Sequence, residues 1–274
     1  SPAWVRPLAN ALEKKGARVL LAADPREVAE DGLIVNRLSN GLAREEAGKG
    51  ARFERALECF ASEGRTVVNG AECLRIGNSK MAQAKLFEHC GVHTPVTFPA
   101  KPNERALPNQ RVLLKPDAGG YGRGICEQGP GKDMPLELFT DDPGWVEQEL
   151  IQASDDAVHR VEVLGKRVLY DARSPLAGND YNYCLASGEA NVLLRNECEI
   201  PAALLTSVLK IAAESKMQLG SVEYLLDANG QPVFIDLNPV SSFHPQAAEL
   251  LGVNPHILVA EFLIRLVKDP TRDE

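Results

Sequence analysis

Two acidic residues and an asparagine in the last quarter of the chain have the types and spacing of a metal site. They are Glu223, Asp236 and Asn238, carried by predicted strands at residues 221–226 and 232–237 that an Asn-Gly turn joins. Asn-Gly between alternating apolar residues is a strong hairpin signal, and side chains two apart on a strand share a face. Two carboxylates beside an amide oxygen suit a hard cation such as Mg²⁺. The alternative is a solvated hairpin edge with ordinary charges.

A glycine-rich stretch could bind phosphate. It reads Lys-Pro-Asp-Ala-Gly-Gly-Tyr-Gly-Arg-Gly-Ile over residues 115–125, directly after a predicted strand. Its glycines allow backbone amides to approach a polyphosphate. The stretch is not a Walker loop, because no Gly-Lys-Ser/Thr follows, and not a Rossmann turn, because no helix follows. Lys115 at the end of the strand favours a phosphate site, and a plain glycine hairpin is the alternative.

Two further basic residues stand where they could face an anion. Lys80 lies in the first turn of a helix that Ser79 is predicted to cap, where the helix dipole disfavours a cation. Arg37 follows a short apolar strand, at the edge where α/β sheets bind ligands. A solvated lysine and a structural salt bridge for the arginine are the alternatives.

Apolar periodicity supplies the elements that must position these residues. The first 70 residues predict an α/β unit that opens on a helix ended by Gly16. Such a unit usually opens on a strand, so we expect either a missing edge strand or a shortened unit. The remaining predicted strands are residues 18–22, 33–35, 66–68, 111–115, 145–151, 158–164 and 167–171. The remaining predicted helices are residues 51–62, 80–90, 201–217, 245–251 and 255–267.

Composition limits the class of protein. At 274 residues the chain exceeds the usual single-core range, so two or three subdomains are expected. The net charge of −8 argues against non-specific nucleic-acid binding. No apolar run approaches the roughly 18 residues of a membrane span, and no signal peptide opens the sequence. The six cysteines are scattered without a C-x-x-C pair, which favours a reduced, cytoplasmic compartment.

Taken together, the motifs resemble the ATP-grasp superfamily, in particular its RimK-like glutamate ligases and its glutathione-synthetase branch. The matching segments are S-K-x(4)-K-L and G-V-x-T-P within residues 79–95, K-P-x-x-G-x-x-G-x-G-I at 115–125, V-E-Q-E-L-I at 146–151 and E-x(12)-D-x-N at 223–238. No single segment is decisive, but their order and spacing together are specific. The resemblance covers residues 66–243, and the N-terminal third only by architecture.

The resemblance implies the ATP-grasp fold, which combines α/β and α+β parts. Residues 1–100 would form a preATP-grasp α/β domain. Residues 101–150 would form the small ATP-grasp subdomain with its Gly-rich lid, and residues 151–274 the large subdomain with the metal site. ATP would lie between the antiparallel sheets of the two subdomains.

The resemblance also implies roles for individual residues. Lys80 and Lys115 would bind the nucleotide phosphates. The lid over the γ-phosphate would contain Gly119, Gly120, Tyr121, Gly122 and Gly124. The hinge that meets adenine would be Gln148, Glu149, Leu150 and Ile151. Two Mg²⁺ ions, replaceable by Mn²⁺, would be held by Glu223, Asp236 and Asn238, and the catalytic arginines would be Arg160 and Arg173.

This sequence departs from the family's pattern at several positions. The metal carboxylates are exchanged, with Glu223 where Asp is common and Asp236 where Glu is common. Ala153 stands at the ribose position, where Asp155 or Asp156 could substitute. Val158 replaces the acid of the D-I-R-like segment, and the basic residue that often follows the second hairpin is replaced within residues 180–183. The substrate therefore cannot be carried over from relatives.

The first functional hypothesis is an ATP-dependent carboxylate–amine ligase that forms an acyl phosphate and releases ADP. A nucleotide-binding module without ligase chemistry is the second. A phosphotransferase with a histidine acceptor is the third, and His244 is the histidine near the metal hairpin. We expect amino-acid or peptide substrates and no nucleic-acid or membrane partner. A dimer or tetramer is a reasonable expectation from the resemblance.

Overall fold

Three β-sheets organise the part of the chain that the computed structural model describes. That part comprises residues 5–28, 31–38, 48–119, 122–135, 144–176 and 192–269. None of its helices is long and apolar enough to cross a membrane. The polar-aromatic segment at residues 180–183, and the predicted lid residues Gly120 and Tyr121, lie outside these ranges.

The N-terminal part contains a short parallel sheet of β1 (Ile34–Val35) and β2 (Val67–Val68). Its helices are α1 (Arg6–Lys14), α2 (Lys49–Ser62) and α3 (Ala71–Gly77). The prediction of a strand at residues 18–22 was wrong, since those residues form no strand. Among the described residues no neighbour pairs with this apolar run, and the side chain of Leu20 is 59% exposed.

A four-stranded antiparallel sheet follows, which we call the small sheet. Its strand order is β3-β6-β4-β5. The strands are β3 (Thr97–Pro99), β4 (Val112–Pro116), β5 (Cys126–Gln128) and β6 (Trp145–Glu149). Val112, Leu114 and Met134 form the apolar cluster on one of its faces. The predicted domain boundary at residue 100 stays a prediction, and the first strand of this sheet begins just before it.

A five-stranded antiparallel sheet, the large sheet, carries the predicted metal residues. Its strand order is β11-β10-β7-β8-β9. The strands are β7 (Ala157–Leu164), β8 (Arg167–Pro175), β9 (Leu193–Asn196), β10 (Leu219–Leu226) and β11 (Pro232–Asn238). The predicted hairpin with its Asn229-Gly230 turn is confirmed, with one or two more residues at the strand ends.

Helices cover both faces of the large sheet, because successive residues of its strands point to opposite faces and both faces carry apolar side chains. Val161, Val222 and Tyr224 face α4 (Lys80–Cys90) and α5 (Ala202–Glu214). Leu164, Tyr170 and Leu219 face α7 (Pro255–Lys268) and α1, and α6 (Ala247–Leu251) lies beside them.

Short-range signals fix the ends of the helix that carries Lys80. The hydroxyl of Ser79 accepts a hydrogen bond from the Ala82 N–H at 3.1 Å, and Gly91 ends the helix in the left-handed region with φ 67°. Both predictions from the sequence are confirmed here, because capping is decided by near neighbours.

Asn69 joins the N-terminal part to the large sheet. It is fully buried, with φ 54°, a left-handed backbone that asparagine tolerates better than most residues. Its Oδ1 accepts from the N–H groups of Gln218 and Leu219, at 2.9 and 3.2 Å. Its Nδ2 donates to the carbonyl of Pro239 at 2.7 Å. This residue therefore fixes β2 against the strands that carry the site.

Candidate functional site

The β10–β11 hairpin brings the three predicted metal residues together. Glu223 lies directly opposite Asp236 in the antiparallel register. The amide Nδ2 of Asn238 is 3.1 Å from Glu223 Oε1 and 3.5 Å from Asp236 Oδ2. The carboxylates and the amide therefore form one polar group at the end of the hairpin, which we call the hairpin acid group.

A β-bulge in β11 shapes this group. Tyr224 pairs with Phe234 whereas Glu223 pairs with Asp236, so Ile235 is an extra residue on that strand. Phe234 can then pack in the core with Tyr224, while Asp236 lies on the side of Glu223. Strict alternation would have placed residues 234 and 236 on one face. The bulge thus separates an aromatic core residue from a site residue two positions away.

Two lysines from other elements face the hairpin acid group. The ammonium of Lys80, at the start of α4, forms an ion pair with Asp236. Lys115 is the penultimate residue of β4 in the small sheet and is 7% exposed. Burial, helped by the positive charge of Lys80, lowers the pKa of Lys115 to about 8, although the charges of Asp236 and Glu223 oppose the shift. The anion that Lys80 faces, against the helix dipole, is therefore a carboxylate of the protein.

Arg160 meets the same group from the neighbouring strand. It lies opposite Glu223 in the β7–β10 register, and its Nη1 donates to Glu223 Oε1 at 2.8 Å. Burial raises the pKa of Glu223, although Arg160 acts in the opposite direction. A carboxylate that is costly to ionise without a partner favours a nearby cation.

The donor set fits a hard divalent cation. Glu223 and Asp236 supply carboxylate oxygens and Asn238 an amide oxygen, the ligand type that Mg²⁺ takes in proteins. Among the described residues no group of three or more His, Cys, Asp and Glu could hold a metal. The hairpin acid group differs from such a cluster because its third donor is an amide.

The predicted hinge residues lie on β6, between β3 and β4 of the small sheet, and directly after it. Gln148 is buried and donates to Thr97 Oγ1 at 2.8 Å. The N–H of Glu149 donates to the Val96 carbonyl at 2.9 Å. The N–H of Leu150 donates to the carbonyl of Arg111 at 3.2 Å. These two N–H groups are engaged within the protein.

An apolar cluster that sequence reasoning missed adjoins the carboxylates. Ile151 packs at its edge, and its buried members are Ala153, Val158, Leu225 and Ile235. Leu225 is two residues from Glu223 on one strand, so the two share a face. The two-residue spacing of Glu223 and Leu225 in a predicted strand was the signal that could have identified this apolar neighbour of the polar group.

Two of the described positions in the glycine-rich stretch require glycine. Gly122 and Gly124 have φ values of 67° and 76°, in the left-handed region that side chains avoid. A Cβ at Gly124 would also lie 3.2 Å from Pro116 Cγ. Gly119 is buried at the end of the described part of this stretch.

The structure does not bring Arg173 and Asp155 to the hairpin acid group. Arg173 pairs in register with His159, the neighbour of Arg160, and alternation therefore places it on the opposite face. Its Nε donates to Asp155 Oδ2 at 2.8 Å, and His159 Nε2 is 3.1 Å from the same oxygen. Burial opposes ionisation of Asp155, but the hydrogen bonds from Arg173 and His159 outweigh it and lower its pKa.

Sequence reasoning also missed a carboxylate that supports Arg160. The Nε of Arg160 donates to Glu162 Oε1 at 2.8 Å, and Ser241 donates its hydroxyl hydrogen to Glu162 Oε2. Arg37 donates to the carbonyl of Ser241 at 2.6 Å. Burial lowers the pKa of Arg37 to about 10, while the charge of Glu162 opposes this. The two-residue spacing of Arg160 and Glu162 in a strand was the available signal.

Comparison with known proteins gives structural matches and no sequence matches. No protein-family model and no curated protein matches the sequence. The RimK domain ATP-grasp protein from Sphaerobacter thermophilus is 17% identical, with a TM-score of 0.66 over 96% of each chain. D-alanine–D-alanine ligase from Bacillus anthracis is 15% identical, with a TM-score of 0.68 over 97% of this chain and 94% of that one.

The ATP-grasp ligase PsnB, solved with a phosphomimetic variant of its minimal precursor, Mg and ADP, is also similar. It is 14% identical, with a TM-score of 0.64 over 97% of this chain and 96% of that one. These matches extend over nearly the whole length of each protein, including the N-terminal third that the motifs did not reach. The protein therefore has the ATP-grasp fold.

Proposed function

We propose that the protein is an ATP-dependent carboxylate–amine ligase that works through an acyl phosphate and releases ADP and phosphate. The observation that carries the proposal is the convergence of Lys80, Lys115 and Arg160 on Glu223 and Asp236. These residues come from both sheets and a helix, and their opposite charges act on one another. The similar structures, which include a D-alanine–D-alanine ligase and PsnB with Mg and ADP, agree with it.

The ion pairs of the site can exchange partners when nucleotide binds. Lys80 and Lys115 would pair with the outer phosphates of ATP, and Glu223, Asp236 and Asn238 would hold Mg²⁺ through their oxygens. The metal would neutralise charge on the phosphates as the terminal phosphoryl group leaves. The apolar cluster of Val158, Leu225 and Ile235 gives a surface that the adenine base could cover.

The residues of this chain would then act mainly by positioning and by charge. A substrate carboxylate oxygen attacks the γ-phosphorus, the bond to the β-phosphate oxygen breaks, and ADP and an acyl phosphate form. An amine attacks the acyl carbon, loses a proton, and displaces inorganic phosphate to give an amide. Arg160, held over Glu223 at 2.8 Å, would stabilise charge on the transferring group.

Product analysis tests this proposal directly. The protein is incubated with ATP, Mg²⁺ and pools of amino acids and short peptides, and the nucleotide and amide products are measured. ADP that requires both a carboxylate and an amine is expected, and hydroxylamine added in place of the amine should trap a hydroxamate. AMP with pyrophosphate would overturn the mechanism. ADP without amide would favour a phosphotransferase, and nucleotide binding without turnover a binding module.

Asp236→Asn is the informative variant of this assay. The substitution keeps the size of the side chain but removes one charge, so we expect kcat to fall at least about tenfold through poorer transition-state stabilisation. Asp227→Asn is a matched control in the turn of the same hairpin, where Asp227 Oδ1 accepts from the N–H groups of Asn229 and Gln231, both at 2.8 Å. The control should retain its rate, and equal losses in both variants would assign Asp236 to folding.

A further inference from the structure

Glu162 is a buried carboxylate that the proposed reaction does not use. Its side chain is 1% exposed. It lies on β7 opposite Tyr170 of β8 and Ser221 of β10, in the middle of the large sheet. One oxygen accepts from Arg160 and the other from Ser241, so both oxygens have partners.

Arg160 is shared between Glu162 and Glu223. Its Nε is 2.8 Å from Glu162 Oε1, and its Nη1 is 2.8 Å from Glu223 Oε1. Glu223 is also a proposed ligand of Mg²⁺, so arginine and metal compete for the same carboxylate. A cation that has only one buried carboxylate near it holds that group more firmly than a cation that divides its charge between two.

We propose that Glu162 is a positioning residue that balances the charge of Arg160 and thereby leaves Glu223 available to the metal. The inference rests on the proposed function, because it concerns the same metal site. When Glu223 binds Mg²⁺, Arg160 keeps Glu162 as its carboxylate partner. Removing the charge of Glu162 strengthens the hold of Arg160 on Glu223 and so weakens metal binding.

Ser241 and Arg37 fix Glu162 in this role. Ser241 is fully buried, follows the strand that carries Asp236 and Asn238, and donates its hydroxyl hydrogen to Glu162. Arg37, which lies just after β1 in the N-terminal part, donates to the Ser241 carbonyl at 2.6 Å. The N-terminal part is therefore linked to Glu223 through successive hydrogen bonds of Arg37, Ser241, Glu162 and Arg160.

Mn²⁺ binding with saturating ADP, followed by electron paramagnetic resonance, tests the inference without relying on turnover. Glu162→Gln should raise the Kd of Mn²⁺ about tenfold or more, because the free-energy cost of an unbalanced buried charge is larger than the free energy that corresponds to a tenfold change in Kd. Calorimetry should show that its affinity for ADP without metal is unchanged. Ser241→Ala should raise the Kd of Mn²⁺ by a smaller factor.

The double variant Arg160→Gln/Glu162→Gln separates this role from a merely structural one. If Glu162 acts by balancing Arg160, removing both charges should restore Mn²⁺ binding relative to Glu162→Gln alone. A loss of packing would not be repaired by a second substitution. A double variant that binds Mn²⁺ no better than the single one, or an unchanged Kd in Glu162→Gln, would overturn the inference.

Glu147→Gln is the matched control for a buried glutamate–arginine pair. Glu147 is fully buried in the small sheet, and Arg105 Nε donates to its Oε1 at 2.8 Å, the same distance as in the pair of Arg160 and Glu162. We expect a comparable loss of thermal stability and an unchanged Kd for Mn²⁺. A wild-type protein that binds no Mn²⁺ in the presence of ADP would contradict the proposed function itself, a result distinct from failure of the Glu162 variants.

Discussion

At the scale of single residues, the site is a set of charges that the protein balances among themselves. Lys115 is the clearest case, since this lysine is only 7% exposed. Burial lowers its pKa to about 8, because a desolvated lysine is less stable in its charged form. A phosphate that binds beside it would act in the opposite direction and favour the charged form. Nucleotide binding is therefore expected to be coupled to the uptake of a proton by Lys115.

We predict that ADP affinity falls as the pH rises above 8. Below pH 8 Lys115 is already protonated and can pair with phosphate. Above pH 8 binding must also take up a proton, so the Kd of ADP should rise by up to about tenfold per pH unit. Calorimetry between pH 7 and pH 9.5, in buffers of different ionisation enthalpy, measures the affinity and the proton uptake. Lys115→Met should bind more weakly and without this pH dependence. A wild-type affinity that is flat across the range would remove Lys115 from the phosphate site.

At the scale of elements, the β10–β11 hairpin sets the geometry of the proposed metal residues through close backbone packing. Gly220 lies on β10 one residue before Ser221, the partner of Asn238. A Cβ at this glycine would lie 2.5 Å from the backbone oxygen of Asn238 and would also collide with the Met217 side chain. The close approach of these strands therefore requires glycine here.

Gly220→Ala is predicted to destabilise the fold and to displace Asn238. We expect a loss of about 1–3 kcal/mol in the free energy of unfolding, typical of overpacking, together with weaker Mn²⁺ binding. Urea unfolding and a Mn²⁺ titration measure the two effects. Gly230→Ala, in the turn of the same hairpin at φ 72° and with no atom within 4 Å of its Cβ, should cost only backbone strain. Mn²⁺ binding that weakens equally in both variants would contradict the role of Gly220.

At the scale of the whole molecule, the proposed nucleotide site draws its residues from both large parts of the fold. Lys115 belongs to the small sheet, Lys80 to α4 and Asp236 to the large sheet, and the ion pair between Lys80 and Asp236 links the last two. A bound polyphosphate would contact lysines of both parts. Binding should therefore stabilise the fold as a unit and not one sheet alone.

We predict that Mg²⁺ with ADP at ~100 times its Kd raises the Tm by about 5–10 °C, since binding then contributes about 2.7 kcal/mol. AMP, which lacks the β-phosphate, should give a much smaller rise. Lys115→Met should lose most of the effect of ADP. Differential scanning calorimetry measures all three. Equal shifts for ADP and AMP would mean that the lysines do not contact the outer phosphates.

The sequence by itself determined the features that depend on near neighbours. Asn229-Gly230 fixed the hairpin, Ser79 and Gly91 fixed the ends of the helix that carries Lys80, and the spacing of Asp236 and Asn238 placed their side chains together. Each of these depends on a few consecutive residues, whose conformational preferences are local. The order of the motifs was enough to predict the ATP-grasp fold, which the similar structures confirm.

Only the tertiary structure decided which side chains meet across distant segments. The bulge at Ile235, the pairing of Lys80 with Asp236, and the position of Arg173 on the opposite face from Arg160 depend on strand register. Register arises when whole strands pack against helices, and a one-residue shift moves every side chain to the other face. For the same physical reason, the link from Arg37 through Ser241 to Glu162 could not be foreseen, because its members are up to 204 residues apart in the chain.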